Sequence, residues 1–490
     1  MEATRELIFI PLPAMGHLNP AVEMAKRTVE REGRISITML IIAFPFDKIS
    51  SYIQTLAADA SIDKRIKFLV LPELENLINN SETFYFQLVD AYKPVVKKIV
   101  QDRVIGPEST RSNSASICGF VVDMICAGMM DVAKELNVPS YVFFTSGVAL
   151  LGLMLHLQTL RDDHGVDVTE FNDPDTELDI PGFRNPVPLK VLPSGFADKS
   201  ACTLIFNLAR SYRKARGILV NTFMELESDA IRSLSEDAGI PPIYPVGPII
   251  NLNLQNDGGA GVSPDERDSI SRWLDSQPPS SVVFLCFGSK GSIEVDQVRE
   301  VADGLERSGH RFLWSLRWLP ANGEKLTPRE YDDFEGVLPN GFSDRTASVG
   351  RVIGWAPQVS VLSHPAVGSF VSHCGWNSLL ESLWFGVPMA AWPMYAEQQL
   401  NAFKLVVEWG LAAGIRIDYV WDAWKKSSNV VVKAEEIERG IRRVMDGGEN
   451  EVRNKVKQMR EMIRKSAVEG GSSYAWLGDF VEDIFENSMK

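Results

Sequence analysis

The chain has 490 residues, 45% hydrophobic and 23% charged, with 36 Gly and 27 Pro spread along its length. That profile belongs to an ordinary globular protein of two or three domains and excludes a disordered chain. A formal charge of −14 repels phosphate backbones and anionic lipid, so nucleic acid and membrane surfaces are poor partners and any phosphate-bearing ligand must be held by local groups.

No basic stretch followed by a secretory core opens the chain, because Leu7 to Met15 is short and broken by Pro11 and Pro13. No apolar run approaches the length of a membrane helix. Five cysteines (Cys118, Cys126, Cys202, Cys286 and Cys374) form no CxxC pair, which suits a reducing compartment. The expectation is a soluble, cytoplasmic protein without membrane insertion.

In the first half, β-rich runs alternate with helical patterns: Leu7–Leu12, Ile35–Ala43, Ile66–Leu71, Ile117–Val122, Ser140–Phe144 and Gly217–Val220. Strands alternating with helices predict a mostly parallel, doubly wound α/β sheet. The first strand runs out into Pro11-Leu12-Pro13-Ala14-Met15-Gly16-His17-Leu18-Asn19-Pro20, and a helical pattern covers Ala21 to Glu30. His17 is therefore expected on the loop at the carboxyl edge of strand one, where open α/β sheets bind ligands. Asp123 follows the fourth strand at the same edge. With a strand order of 3-2-1-4-5 the two strands are neighbours, and the carboxylate can fix the imidazole tautomer while the other ring nitrogen takes a proton. By position alone, a histidine capping a loop and an aspartate capping the next helix is the favoured account of the pair.

Asp173-Pro174-Asp175 matches an Asp-x-Asp metal pattern but sits in a polar run between structured segments, and is not read as a ligand site. From Pro248 to Pro264 the chain is polar and glycine-rich, as suits a linker. The α/β pattern then restarts with Ser281–Phe287, Arg311–Leu316, Arg351–Ile353, Gly368–Val371, Pro388–Trp392 and Ala412–Ile417. The tail from Lys433 to Phe485 reads as helices with solvated charged faces. Neither half has GxGxxG after its first strand, and there is no zinc-spaced Cys/His cluster and no GxSxG elbow.

The strand Gly368 to Ser372 leads through His373-Cys374-Gly375 into a helix that starts near Trp376-Asn377-Ser378. Free backbone N–H groups and the positive end of a helix dipole at that turn make a seat for a diphosphate. The run WAPQVSVLSHPAVGSFVSHCGWNSLLESLWFGVPMAAWPMYAEQ, from Trp355 to Gln398, closely resembles the signature box of plant family 1 UDP-glycosyltransferases, enzymes of the GT-B fold. His17, Asp123, the Phe287-Gly288-Ser289 turn and the overall length fit the same family. Glu397 stands where many relatives have aspartate.

The resemblance implies two Rossmann-like domains facing across a cleft: an acceptor domain over 1–248, a linker over 249–261, a UDP-sugar domain over 262–460, and a last helix, about 471–487, packing back on the first. It implies that His17 acts as base and Asp123 orients it. It places Ser289, His373, Asn377 and Ser378 at the phosphates, Trp355 against uracil, Gln358 near the uridine and Glu381 on the ribose. Glu397 and Gln398 would contact the sugar, with Trp376 and Thr145 near it. Glutamine at the last position implies glucose.

The implied reaction is metal-independent, inverting O-glucosylation by UDP-glucose, with no bound cofactor, in a monomer. The acceptor pocket is expected to include Met15, Gly16, Phe84, Tyr85, Phe86, Met124, Phe143 and Leu153, whose apolar character suits a flavonoid, phenol or terpenoid. A silent UDP-sugar-binding protein acting as sensor or partner subunit, or a hydrolase on the same fold, stays open at this point. UDP release that depends on an acceptor separates the first, and free sugar without acceptor marks the second.

Overall fold

A computed structural model of the chain describes residues 5–43, 49–59, 62–74, 84–105, 116–171, 173–252, 263–318, 328–419, 430–446 and 451–486. The architecture is α/β with two parallel sheets. The first contains β1 (Arg5–Ile10), β2 (Ile35–Ile41), β3 (Ile66–Val70), β4 (Ser116–Asp123), β5 (Ser140–Phe144), β6 (Gly217–Val220) and β7 (Ile243–Pro245), in the order 3-2-1-4-5-6-7. The second contains β8 (Val282–Cys286), β9 (Arg311–Ser315), β10 (Gly350–Ile353), β11 (Val367–Ser372), β12 (Met389–Ala391) and β13 (Ala412–Gly414), in the order 10-9-8-11-12-13. Each sheet changes direction beside its first strand, so β1 lies against β4 and β8 against β11.

All twelve expected strands form, the central ones because their apolar runs are covered on both faces, as in Leu7 to Ile10 and Val282 to Leu285, while the edge strands β3 and β10 are only partly covered. The first strand stops at Ile10 rather than Leu12, since Pro11 has no N–H for the ladder. The short β7 escaped the sequence reading. It is hemmed by Pro241, Pro242 and Pro245, which an edge strand tolerates.

The first helix needs a larger correction. Helix α1 spans Met15–Arg31, so His17 lies in its first turn and not on a loop. Pro20 concealed this. A proline near a helix start removes one bond only, here the one its N–H would give to the Gly16 carbonyl. Asn377 Nδ2, from the second half of the chain, donates to that carbonyl instead at 2.9 Å.

Further helices used below are α2 (Phe84–Ile105), α3 (Val148–His164), α4 (Trp376–Phe385), α5 (Gln398–Phe403) and α6 (Ser472–Glu486). Alternate residues of the first sheet face two different cores. Ile8, Ile10, Phe120, Val122 and Phe144 pack with Tyr92 of α2 and Leu151 of α3. Leu7, Phe9, Val121, Tyr141 and Phe143 pack with Met24 of α1 and with Leu477, Phe480 and Ile484 of α6. Asp483 of α6 accepts from the Tyr141 hydroxyl and from Arg216 Nη2, both at 2.6 Å, and Arg31 lies 4.0 Å over the Tyr474 ring. The last turn expected for this helix, at Asn487, lies outside the described residues.

The two sheets share a packed seam. Leu400 and Phe403 of α5 join the apolar cluster of the first sheet, while Phe223 and Leu226 join that of the second. The Trp376 indole donates to the Asn221 carbonyl at 2.6 Å, and the Asn221 amide both donates to and accepts from the Ile249 backbone, at 3.2 and 2.6 Å. Residues 253–261 of the expected linker, 249–261, lie outside the described residues. All five cysteines are buried and free, and no helix among the described residues is long and apolar enough to cross a membrane.

Phe480 is fully buried and meets the Tyr141 ring edge-on at 5.1 Å between centroids. Phe480→Ala should cost about 3–5 kcal/mol, the usual range for emptying such a site. Thermal unfolding read by circular dichroism checks this, and an unchanged midpoint contradicts the anchoring role given to α6.

Candidate active site between the two sheets

His17 and Asp123 meet as the strand order requires. Asp123 ends β4, next to β1, and its Oδ2 lies 2.8 Å from His17 Nδ1. Its Oδ1 accepts from the Ile125 N–H at 2.9 Å, so the carboxylate also caps the turn that follows. Asp123 is buried, whereas the His17 side chain is 26% exposed. Thr145, just past β5, brings its hydroxyl to 3.0 Å from the same Nδ1. Two oxygens thus hold one ring nitrogen. His17 Nε2 has no partner among the described residues and is left for a ligand.

Burial pulls the His17 imidazole down, but the charge and hydrogen bond of Asp123, helped by the charge of Glu397, push it up by more. Lys290 opposes this weakly, and the net direction is upward. Lys290 Nζ also donates to the Tyr85 hydroxyl at 3.3 Å, so the turn beyond β8 reaches the first turn of α2 across the opening.

Across from His17, α4 begins at Trp376 after Gly375, with no side chain capping its first N–H groups. A helix start left open in this way suits an anion. His373 is buried just before it, and its imidazole is pushed down to about 4 by burial and by the charge of Arg317. At neutral pH the ring therefore offers hydrogen bonds and no charge. Exposed Ser289 sits on the facing turn after β8. That turn needs glycine at 288: φ is +74°, and a Cβ there would come within 2.5 Å of His373 Nε2.

Gln358 Nε2 donates to Ser378 Oγ at 2.8 Å and to Glu381 Oε2 at 2.7 Å, which gathers three of the expected nucleotide contacts. Half-buried Trp355 precedes them, and its backbone N–H donates to Glu330 Oε1 at 2.7 Å. Glu397 directly precedes α5 without a capping bond from its side chain, and burial pushes its carboxyl up despite the nearby charge of His17. Gln398 Oε1 accepts from the Met394 and Tyr395 N–H groups at 2.9 and 3.0 Å, so only its Nε2 is left for a sugar. The Trp376 indole N–H is spent on Asn221, which leaves its backbone N–H as the polar group for a donor.

The family described as "UDP-glucoronosyl and UDP-glucosyl transferase" matches residues 240–419. A UDP-glucose flavonoid 3-O-glucosyltransferase of Fragaria ananassa is 50% identical over 488 residues, covering 99% of each chain. The solved structure of a transferase from Siraitia grosvenorii in complex with UDP is 47% identical, covers 98% of this chain and 100% of its own, and superimposes with a TM-score of 0.87. UGT71G1 of Medicago truncatula, complexed with UDP-glucose, is 41% identical over 98% of both chains with a TM-score of 0.84. The chain belongs to the plant UDP-glycosyltransferases.

In this glycosyltransferase the apolar residues expected around an acceptor divide. Met15 and Gly16 open α1 beside His17, and Tyr85 borders the gap from α2. Phe84 and Met124 are buried beneath, with Phe86 partly buried. Phe143 is a correction: it points to the α1 and α6 side of the sheet, 2% exposed, because strand residues alternate faces. Leu153 is fully buried within α3 and is core as well. The Asp173 carboxylate accepts the Asp175 N–H at 3.0 Å and Asp175 pairs with Lys190 at 2.8 Å, as a surface turn does.

Sequence reasoning missed Arg317, Glu330 and Asn221. Arg317 carried one signal, a lone charge in the apolar run Phe312 to Trp318 at a strand's carboxyl edge.

NMR titration of the His17 imidazole, assigned by difference with His17→Ala, should give a pKa above the ordinary value of about 6.5. Removing the Asp123 charge leaves burial dominant, so Asp123→Asn should carry it below that value. An unchanged pKa in the variant contradicts the pairing.

Proposed function

We propose that the protein transfers glucose from UDP-glucose, with inversion, to a hydroxyl of a small hydrophobic acceptor of the flavonoid, phenol or terpenoid type. One observation carries this reading: His17 Nδ1 is held by Asp123 at 2.8 Å, while Nε2 is free at an edge facing an uncapped helix start. The flavonoid glucosyltransferase among its relatives and the neighbour complexed with UDP-glucose support the same substrates.

On this reading residues 1–248 supply the acceptor side, 249–261 the connection and 262–460 the donor side, with α6 bracing the first. Nε2 of neutral His17 takes the proton from the acceptor hydroxyl as its oxygen attacks the anomeric carbon. The bond from that carbon to UDP breaks, and the electron pair leaves with UDP. Asp123 stabilises the imidazolium that forms. N–H groups of α4, the Ser289 hydroxyl and neutral His373 meet the charge growing on the diphosphate, with Asn377 and Ser378 beside them, and no step uses a metal ion. Trp355 stacks on uracil and Glu381 binds the ribose. Glu397 and Gln398 Nε2 bind the sugar hydroxyls. The enzyme works as a cytoplasmic monomer, a setting that its five free buried cysteines suit.

With UDP-glucose and a simple alcohol acceptor, His17→Ala should lower turnover by roughly two to four orders of magnitude while UDP binding stays nearly constant. Near-normal turnover would remove His17 from the base role. In the same assay the parent should prefer UDP-glucose to UDP-galactose and UDP-glucuronate. Gln398→Glu keeps the oxygen that Met394 and Tyr395 need but removes the amide donor, so it should weaken that preference by roughly five- to 150-fold. A variant as selective as the parent would place donor choice elsewhere.

A further inference from the structure

Arg317 lies two residues beyond β9 and is only 4% exposed. A guanidinium stays charged at any physiological pH, so burying one is costly unless its donors are filled and its charge is balanced. Its donors are well filled. Nη1 donates to the Ser289 carbonyl at 3.1 Å, and Nη2 donates to the carbonyls of Gly288 and Gly291, the latter at 3.4 Å. Its charge is balanced only at a distance: all three bonds go to neutral carbonyls, and the Glu330 carboxylate favours the cation through its charge without a hydrogen bond to it among the described residues.

The same guanidinium lies 4.6 Å from the centre of the Trp355 ring. The short ribbon that pairs Arg317–Trp318 with Arg329–Glu330 completes the clasp, since Glu330 holds the Trp355 N–H from the other strand. One buried side chain therefore touches both the turn that carries Ser289 and the ring that carries the base on the reading above.

We propose that Arg317 is a positioning residue for the donor's nucleoside diphosphate, locking the 288–291 turn to the Trp355 platform and placing its positive charge behind that turn as a counter-charge of the diphosphate. This rests on the reading of the cleft as a UDP-sugar site. The carbonyls of the turn point back to Arg317, which leaves Ser289 exposed on the outer side. His373, on the far wall of the seat, is kept neutral partly by the Arg317 charge, so the field of the guanidinium reaches across the seat. Lys290, the cation on the turn itself, is exposed and directed to Tyr85.

The test is calorimetric titration of the full-length protein with uridine and with UDP, for the parent, Arg317→Gln and Arg317→Lys, with thermal midpoints as a folding control. Gln keeps one hydrogen-bond donor but no charge, and the preference for UDP over uridine should fall roughly tenfold or more. Lys keeps the charge but cannot span three carbonyls or lie flat on the ring, so both ligands should bind roughly three- to tenfold more weakly with their ratio nearly kept. A Gln variant with the parent's UDP-to-uridine ratio would make Arg317 a packing residue and overturn the proposal. A Lys variant that binds uridine as the parent does would overturn the link to Trp355, and this arm stands even if the Gln variant does not fold. A parent that binds neither ligand would instead bring down the UDP-sugar reading itself.

Discussion

The hydrogen bond from the Trp376 indole to the Asn221 carbonyl, 2.6 Å long and buried, fixes how the two halves of the molecule face each other. Asn221 follows the last residue of β6, and Trp376 is the first residue of α4, so the bond ties the carboxyl edge of one sheet to the uncapped helix start beside the other. The side chain of Asn221 holds Ile249 where the chain leaves the first half, so one residue sets both the joint and its route. Glycine at 147 lets the ring in, because a Cβ there would come within 2.5 Å of it. Asn377 then reaches the carbonyl that Pro20 leaves free on α1, and the helix bearing His17 is bonded to the helix expected to bear the diphosphate.

Two of the four non-glycine residues with positive φ among the described residues stand at this joint. Cys374 and Ala396 have φ values of +63° and +56°, in a region where residues with a Cβ cost on the order of 1–2 kcal/mol. Each stands shortly before a helix that carries proposed donor contacts, α4 and α5. The Cys374 turn is held by the Ser372 hydroxyl, which accepts its N–H at 3.1 Å, and by Asn401, which donates to its carbonyl at 3.0 Å. Such a conformation persists when its surroundings over-determine it, and here it aims helix starts into the cleft. In a chain of charge −14, the cations His17 (when protonated), Lys290 and Arg317 are gathered at the same place.

All strands of the two sheets except the short, proline-flanked β7 were legible in the sequence because buried parallel strands need apolar runs, and such runs need no partner to be recognised. The meeting of His17 with Asp123 followed from strand order alone. What depended on direction did not follow. Phe143 and Val142 are equally apolar, and only the pleat decides which core each enters. Pro20 hides the first turn of α1, because a proline near a helix start costs a single bond and leaves the helix around it intact. Asn221 and Glu330 draw their meaning from segments far away in the chain, so no local pattern marks them, and the one local sign at Arg317, a charge in an apolar run, does not say what it touches. The signature box could be read only because it is contiguous: Gln358, Ser378 and Glu381 meet on adjacent helices of one short stretch.

If the joint holds the two edges as described, UDP is held from the second sheet while the acceptor hydroxyl approaches from His17 on the first, and the two lie on opposite faces of the anomeric carbon. The configuration of the product is then set by the fold. Proton NMR of the glucoside formed from UDP-α-glucose and a phenolic acceptor measures this directly through the coupling of the anomeric proton. The account predicts the large coupling of a β-linked product; the small coupling of an α-linked product, retained from the donor, would contradict it.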